Sequence, residues 1–139
     1  GQSVLMMGDA DWFAESQVVK ALHRRNLLGE IDAVVVSHHG ARDGSNPSFV
    51  QLVGANHAFI SVGQSNRYGH PHREVLARWA EAGAQLHRTD LDGALTFDFQ
   101  DGRVSRYRQT SPSRWSQAPI GQRSNEWSDQ STVGSRADG

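Results

Sequence analysis

Short apolar runs alternate with amphipathic segments along the first two thirds of the chain. The runs at 4–7, 31–36 and 58–62 have the composition of buried strands, and the second contains three consecutive β-branched valines. We therefore predict a strand in each. Apolar residues at helical spacing predict helices over 11–25, 45–53 and 71–82.

The alternation ends after the third predicted helix. Further strands are predicted over 85–88, 94–99 and 103–108, and the pairs Asp92-Gly93 and Asp101-Gly102 between them are hairpin turn signals. The expected fold class is therefore α/β, with a partly parallel, mixed sheet, flanking helices and a C-terminal hairpin region.

Composition divides the chain into a folded part at 1–109 and a tail at 110–139. The tail is rich in Ser, Gln, Asn, Gly and Pro and has few apolar residues, so we expect it to be disordered. Its Trp115 and Trp127 could instead dock on a partner. Because the chain begins inside a predicted strand, we also expect it to be a piece of a longer protein.

Charge and cysteine content limit the possible chemistry. Fourteen basic and fifteen acidic residues give a formal net charge of -1, so any contact with nucleic acid must be local. The absence of cysteine excludes disulfides and thiolate metal sites. Histidine, aspartate and glutamate remain as the strong metal ligands.

Three motifs place such side chains directly after predicted strands: Gly8-Asp9, His38-His39-Gly40 and Asn66 to His72. The carboxyl ends of parallel strands meet at one edge of a sheet, so the motifs predict a zinc or manganese site there. Two simpler interpretations of these residues remain open. Asp9 precedes a helix and could be its N-cap, and one of the two adjacent histidines could be structural.

The third motif contains two histidines separated by Pro71. We expect His70 to face the site and the rings of the two histidines to diverge. His72, close to a helix start, should point toward solvent. The remaining histidines are expected to be structural or solvated: His23, His57 and His87.

In this order, the three motifs resemble the second half of the metallo-β-lactamase-like domain at the C-terminus of ComEC family competence proteins. The resemblance covers about residues 3–99 and includes Thr89-Asp90 and Gly93-Ala94. It implies half of an αββα sandwich with a metal site at the sheet edges. It also implies a membrane machine that imports transforming DNA, with this domain as a nuclease degrading the non-imported strand.

The resemblance also implies roles for individual residues. Asp9, His39 and His70 would bind a divalent metal, manganese or zinc, and His38 or His39 would be the catalytic proton donor. Basic and polar residues near the predicted metal site would contact the phosphate groups of the substrate: Arg42, Ser45, Arg67 and Arg73. Ser45 is included because Ala41 occupies the position where the family usually has serine after His-His-Gly.

A larger departure from the family is that the chain has no His-x-His-x-Asp-His cluster. In the family that cluster lies in the preceding half of the domain, so we expect this chain to carry half a metal centre and to be inactive alone. The alternative is a non-catalytic module that serves as a DNA-contact or protein-interaction platform.

The partners implied are DNA, the upstream half of the domain and the membrane channel part of the same protein. Self-association through an exposed sheet edge is also expected. The implied location is a soluble domain of an inner (plasma) membrane protein, on the periplasmic or extracellular side.

Overall fold

The computed structural model describes residues 1–111 and 114–118, with side chains described as far as residue 107. Its first sheet has four parallel strands in sequential order: β1 (Val4–Met6), β2 (Ala33–Val35), β3 (His57–Ile60) and β4 (Gln85–Arg88). A helix follows each of the first three strands: α1 (Trp12–Arg24), α2 (Pro47–Val53) and α3 (Arg73–Glu81). The predicted alternation of strands and helices is confirmed.

The main core lies between the parallel sheet and these helices. Helix α1 contacts α2, and α2 contacts α3, so the helices form one layer. Val34, Ala58 and Ile60 of the sheet are fully buried in the same cluster as Trp79 of α3. Consecutive parallel strands joined by helices produce this layered packing because each helix must bury its apolar stripe against the sheet.

The helix ends follow from local sequence. Asn46 caps α2 by accepting a hydrogen bond from the Ser48 amide at 2.9 Å, and Pro47 occupies the first turn, as predicted. For α1 the cap is Asp11, whose carboxylate accepts from the Ala14 amide at 2.9 Å. The N-cap of α1 is therefore not Asp9.

The remaining strands form a second, antiparallel sheet of β5 (Ala94–Phe97), β6 (Val104–Ser111) and β7 (Arg114–Ala118). The expectation of one mixed sheet is thus wrong for the described residues. The predicted Asp101-Gly102 turn does join two paired strands, β5 and β6. The predicted Asp92-Gly93 hairpin does not form, because Asp92 ends a short helix, α4 (Thr89–Asp92), and accepts hydrogen bonds from Arg88 and Arg106.

The boundary predicted at residue 110 does not coincide with the end of the second sheet. Strand β6 runs to Ser111 and β7 occupies Arg114–Ala118, within the segment expected to be a disordered tail. Antiparallel pairing uses backbone groups, so a polar composition does not prevent it. Residues 112–113 and 119–139 lie outside the described residues. No helix in the described part of the chain is long and apolar enough to cross a membrane.

Two histidines pack on the side of β3 and β4 that faces β5. The His57 Nδ1 lies 3.1 Å from the His87 Nε2, and the His57 ring contacts Phe59 and Phe97. This packing agrees with the structural alternative of the expectation that these histidines are structural or solvated. Desolvation lowers the pKa of His57 from its usual 6.5, and Asp32 opposes the change.

We expect this cluster to make stability depend on pH. The pKa of His57 is lower in the folded chain than in the unfolded chain. The neutral ring therefore stabilises the fold fully above pH 6.5, and this stabilisation is lost as pH falls through the pKa of His57 in the folded chain. Thermal melts from about pH 8 to about pH 5 should show a smaller loss of melting temperature for His57→Phe than for the unchanged chain. His23→Gln, on the exposed end of α1, is the control. An equal loss in His57→Phe would assign the pH dependence elsewhere.

Candidate active site at the carboxyl edge of the parallel sheet

The loops that follow β1, β2 and β3 meet at the carboxyl edge of the parallel sheet. The His38 amide donates to the Gly8 carbonyl at 2.8 Å, and the His72 amide donates to the Gly40 carbonyl at 3.0 Å. The ring centroids of His38 and His70 are 6.1 Å apart in an edge-to-face arrangement. The predicted gathering of the three motifs is therefore confirmed.

The two adjacent histidines adopt a backbone conformation that the sequence analysis did not predict. His38 and His39 lie in the left-handed region, with φ of 49° and 56°, inside a tight turn at Ser37–Gly40. Gly40 completes the turn at φ 84°, and a Cβ there would lie 2.5 Å from the Cβ of Pro71. Close packing of the His70 loop thus requires glycine at this position.

The His39 ring is held in one tautomer by the backbone of the next loop. Its Nδ1 lies 2.7 Å from the Ser61 carbonyl oxygen, which can only accept, so Nδ1 carries the proton. In the neutral ring this contact leaves the lone pair of Nε2 to bind a metal or accept a proton. His39 lines a cleft of about 420 Å³ together with His70, Tyr68 and Thr89.

The His38 ring has a different partner, Asp43. Its Nδ1 lies 3.1 Å and 3.2 Å from the two carboxylate oxygens. Asp43 was not among the residues predicted from the sequence, although its position five residues after His38 in the same loop indicated that it could contact that histidine. A carboxylate on Nδ1 orients the imidazole, which suits transfer of a proton through Nε2.

The backbone of His70 is fixed by the side chain of Asn66. The Asn66 Oδ1 accepts from the His70 amide at 2.9 Å, and the Asn66 Nδ2 donates to the His70 carbonyl at 2.7 Å. Desolvation lowers the pKa of the His70 ring, and nearby His72 lowers it further. The neutral ring that results can act as a metal ligand.

His72 does not point away from His70 as predicted. The two ring centroids are 5.2 Å apart, and His72 is only partly exposed. The hydrogen bond from its amide to Gly40 draws His72 toward the His38 loop, a long-range contact that local backbone preferences cannot show. His72 is therefore a neighbour of the candidate ligand.

The other predicted site residues divide into exposed and buried positions. Asp9 is exposed at the turn after β1, and the guanidinium-bearing residues Arg42, Arg67 and Arg73 are also exposed. Arg42 lies 3.6 Å from Glu74. The prediction for Ser45 is wrong, because it is fully buried and its hydroxyl accepts from the Trp79 indole at 3.0 Å.

The donors described fit only part of a metal site. His39 has a free and oriented Nε2, and His70 lines the same cleft, which suits two imidazole ligands. No group of three His, Asp or Glu residues within the described ranges is placed to hold a metal ion. The described side chains therefore include two candidate ligands, but they do not form a complete metal site.

Comparison with known proteins finds relatives that align with most of this chain. Over 108 residues, 78% of this chain, it is 35% identical to the Competence protein ComA of Neisseria gonorrhoeae. Over 103 residues, 73% of this chain, it is 30% identical to the ComE operon protein 3 of Bacillus subtilis. Over 120 residues, 86% of this chain, it is 30% identical to the Recombination protein 2 of Haemophilus influenzae.

These matches cover only part of each relative. The aligned segments are 15%, 12% and 14% of the three proteins, in the same order. Comparison with protein-family models and with solved structures gives no match. The relatives are competence proteins, so the predicted resemblance is confirmed at that level.

Proposed function

We propose that this chain is part of a metal-dependent phosphodiesterase domain of a DNA-uptake protein. The observation that carries the proposal is the fixed Nδ1-protonated tautomer of His39, whose Nε2 is free in a cleft that His70 also lines. Similarity to competence proteins supports DNA as the substrate. The proposal includes the finer role expected from the sequence, degradation of the strand that is not imported.

The two adjacent histidines have different tasks in this proposal. His39 and His70 hold manganese or zinc, together with Asp9 and ligands from the upstream half of the domain. Bound metal would lower the pKa of the attacking water and offset charge on the phosphate. His38, oriented by Asp43 at 3.1 Å, passes a proton from Nε2 to the leaving oxygen.

Arginines at the same edge would position the substrate. Arg67 and Arg73 are exposed on the segment that carries His70, and Arg42 is exposed on the loop that carries His38. Guanidinium groups bind phosphate through paired hydrogen bonds, and such contacts position a strand without reading its sequence. The proposed domain lies on the periplasmic or extracellular side of the plasma membrane, attached to the channel part of the protein.

The nuclease proposal predicts that activity requires the rest of the domain. The purified 139-residue chain with manganese or zinc should not cleave single-stranded or duplex DNA, because the described donors do not complete a metal site. A protein that carries the complete domain should cleave DNA, and a chelator should abolish the cleavage.

Each of the two measurements can contradict the proposal. Chelator-sensitive turnover by the 139-residue chain would show that no upstream ligands are needed. Absence of cleavage by the complete domain would overturn the nuclease proposal.

A second function is favoured by the incomplete donor set among the described residues. In this alternative the chain is a non-catalytic platform that contacts DNA through its arginines, or another protein through the sheet. Strand β1 is at the end of the described parallel sheet, and its Met6 is 77% exposed, which suits covering by another chain segment or by a second copy. DNA binding without cleavage by the complete domain would support this alternative.

A further inference from the structure

A carboxylate is buried beneath the loop of residues 37–46, which carries His38 and His39 and is called the histidine loop below. Glu15 lies on α1 at a position that is 0% exposed, one turn before the partly buried Val18 and Val19. A charged side chain at such a position is costly unless hydrogen bonds replace its water. Its burial therefore calls for a specific set of partners.

The partners come from both ends of the loop that carries the histidines. The Ser37 hydroxyl donates to the Glu15 carboxylate at 3.1 Å, at the start of the loop. At the end of the loop, the Ser45 amide donates to the same carboxylate oxygen, and the Asn46 amide donates to the other at 2.8 Å. One carboxylate thus closes the base of a loop that runs from residue 37 to residue 46.

Residues of α3 also form hydrogen bonds with the C-terminal end of this loop. The Trp79 indole donates to the Ser45 hydroxyl at 3.0 Å, and the Arg78 guanidinium donates to the Ser45 carbonyl at 3.0 Å. Gly44 packs so closely that a Cβ there would collide with the Ser37 hydroxyl. The two ends of the loop are therefore in contact with each other as well as with Glu15.

The loop needs this fastening because of its backbone. His38, His39 and Ser45 all have positive φ, at 49°, 56° and 58°. A non-glycine residue in this region is strained and persists only where its surroundings enforce the conformation. Contacts at the base of the loop supply that enforcement.

We infer that Glu15 is a positioning residue of the candidate site. Its carboxylate fixes both ends of the loop and so determines where His38, His39 and Asp43 lie. The catalytic meaning of this inference rests on the proposed function, but the positioning itself does not. It can be measured on the 139-residue chain without metal or DNA.

A glutamine cannot replace Glu15. Its amide has one oxygen to accept hydrogen bonds, and its NH₂ group would face a backbone N–H, because both carboxylate oxygens accept from amides. Burial raises the pKa of Glu15 above its usual value, and the hydrogen bonds from Asn46, Ser45 and Ser37 offset part of that rise. Those hydrogen bonds favour the ionised form that accepts at both oxygens.

The experiment is NMR of the 139-residue chain, with nitrogen shifts reporting the tautomers of His38 and His39. Glu15→Gln should reduce the Nδ1-protonated tautomer of His39 and speed exchange of the Ala41 amide by about tenfold or more, as expected for loss of hydrogen bonds to a charged group. Ser37→Ala removes one of the three hydrogen bonds and should move the same signals less. If Glu15→Gln does not fold, Ser37→Ala decides the question.

Two controls separate positioning from general stability. Val75→Ala, at a fully buried core position on α3, should lower the melting temperature without changing the histidine tautomers. Glu81→Gln, at an exposed position on α3, should change neither. The inference is overturned if the His38 and His39 signals of the folded Glu15 or Ser37 variant match those of the unchanged chain or move no more than in Val75→Ala.

Discussion

Replacing His39 with asparagine is expected to weaken metal binding and to slow DNA cleavage by the complete domain by more than about 100-fold, the upper end of the loss when only a residue supporting a ligand is changed, while leaving the fold intact. The His39 Nδ1 lies 2.7 Å from the Ser61 carbonyl oxygen, and the amide NH₂ of asparagine can replace it as the donor. Asparagine has no atom that corresponds to Nε2. Asparagine also tolerates the left-handed backbone at this position, where φ is 56°. Initial rates at saturating DNA, with circular dichroism on the same samples, check the prediction.

The matched variant is His38→Asn, at the neighbouring left-handed position with φ of 49°. It should also slow cleavage, because it removes the proposed proton donor, but it should leave metal affinity unchanged. Calorimetric metal titration of both variants separates the two roles. Equal loss of metal affinity would show that the assignment of ligand and proton donor is wrong.

Trp79→Ala is expected to cost about 3–5 kcal/mol of unfolding free energy, the usual effect of truncating a buried tryptophan. Trp79 is 1% exposed, its ring packs edge-to-face on Phe49 at 6.1 Å between centroids, and its indole donates to Ser45. Domains of this size are stable by about 5–15 kcal/mol, so a large share of the total would be lost. Urea unfolding followed by circular dichroism measures it.

Trp79→Phe tests which part of that loss belongs to the hydrogen bond. It keeps most of the apolar contact but leaves the buried Ser45 hydroxyl without its donor, for an expected cost of about 1–3 kcal/mol. Trp12→Ala, at a position that is 47% exposed, should have an effect of about 0.5 kcal/mol or less. A comparable loss for Trp12→Ala and Trp79→Ala would contradict the described core.

Local sequence was sufficient for helices α1 to α3 and for the parallel strands. Asn46 and Pro47 mark the start of α2, and the valine-rich run contains β2, because capping and strand preference depend on neighbouring residues. The second sheet was predicted less well. The Asp92-Gly93 pair has the composition of a hairpin turn, but the Asp92 carboxylate is held by Arg106, 14 residues away. No pattern within a short window contains that contact.

For the candidate site, the sequence by itself determined which motifs meet, but not every residue that takes part. Motifs that follow consecutive parallel strands must reach one sheet edge, and Gly8, His38 and His70 do so. Only the tertiary structure decided how they are held: the Ser61 carbonyl sets the tautomer of His39, and Glu15 closes the histidine loop. Each of these contacts joins residues 22 positions apart in sequence. The succession of strands and helices along the chain follows from periodicity, whereas hydrogen-bond partners across loops depend on the packing of the whole fold.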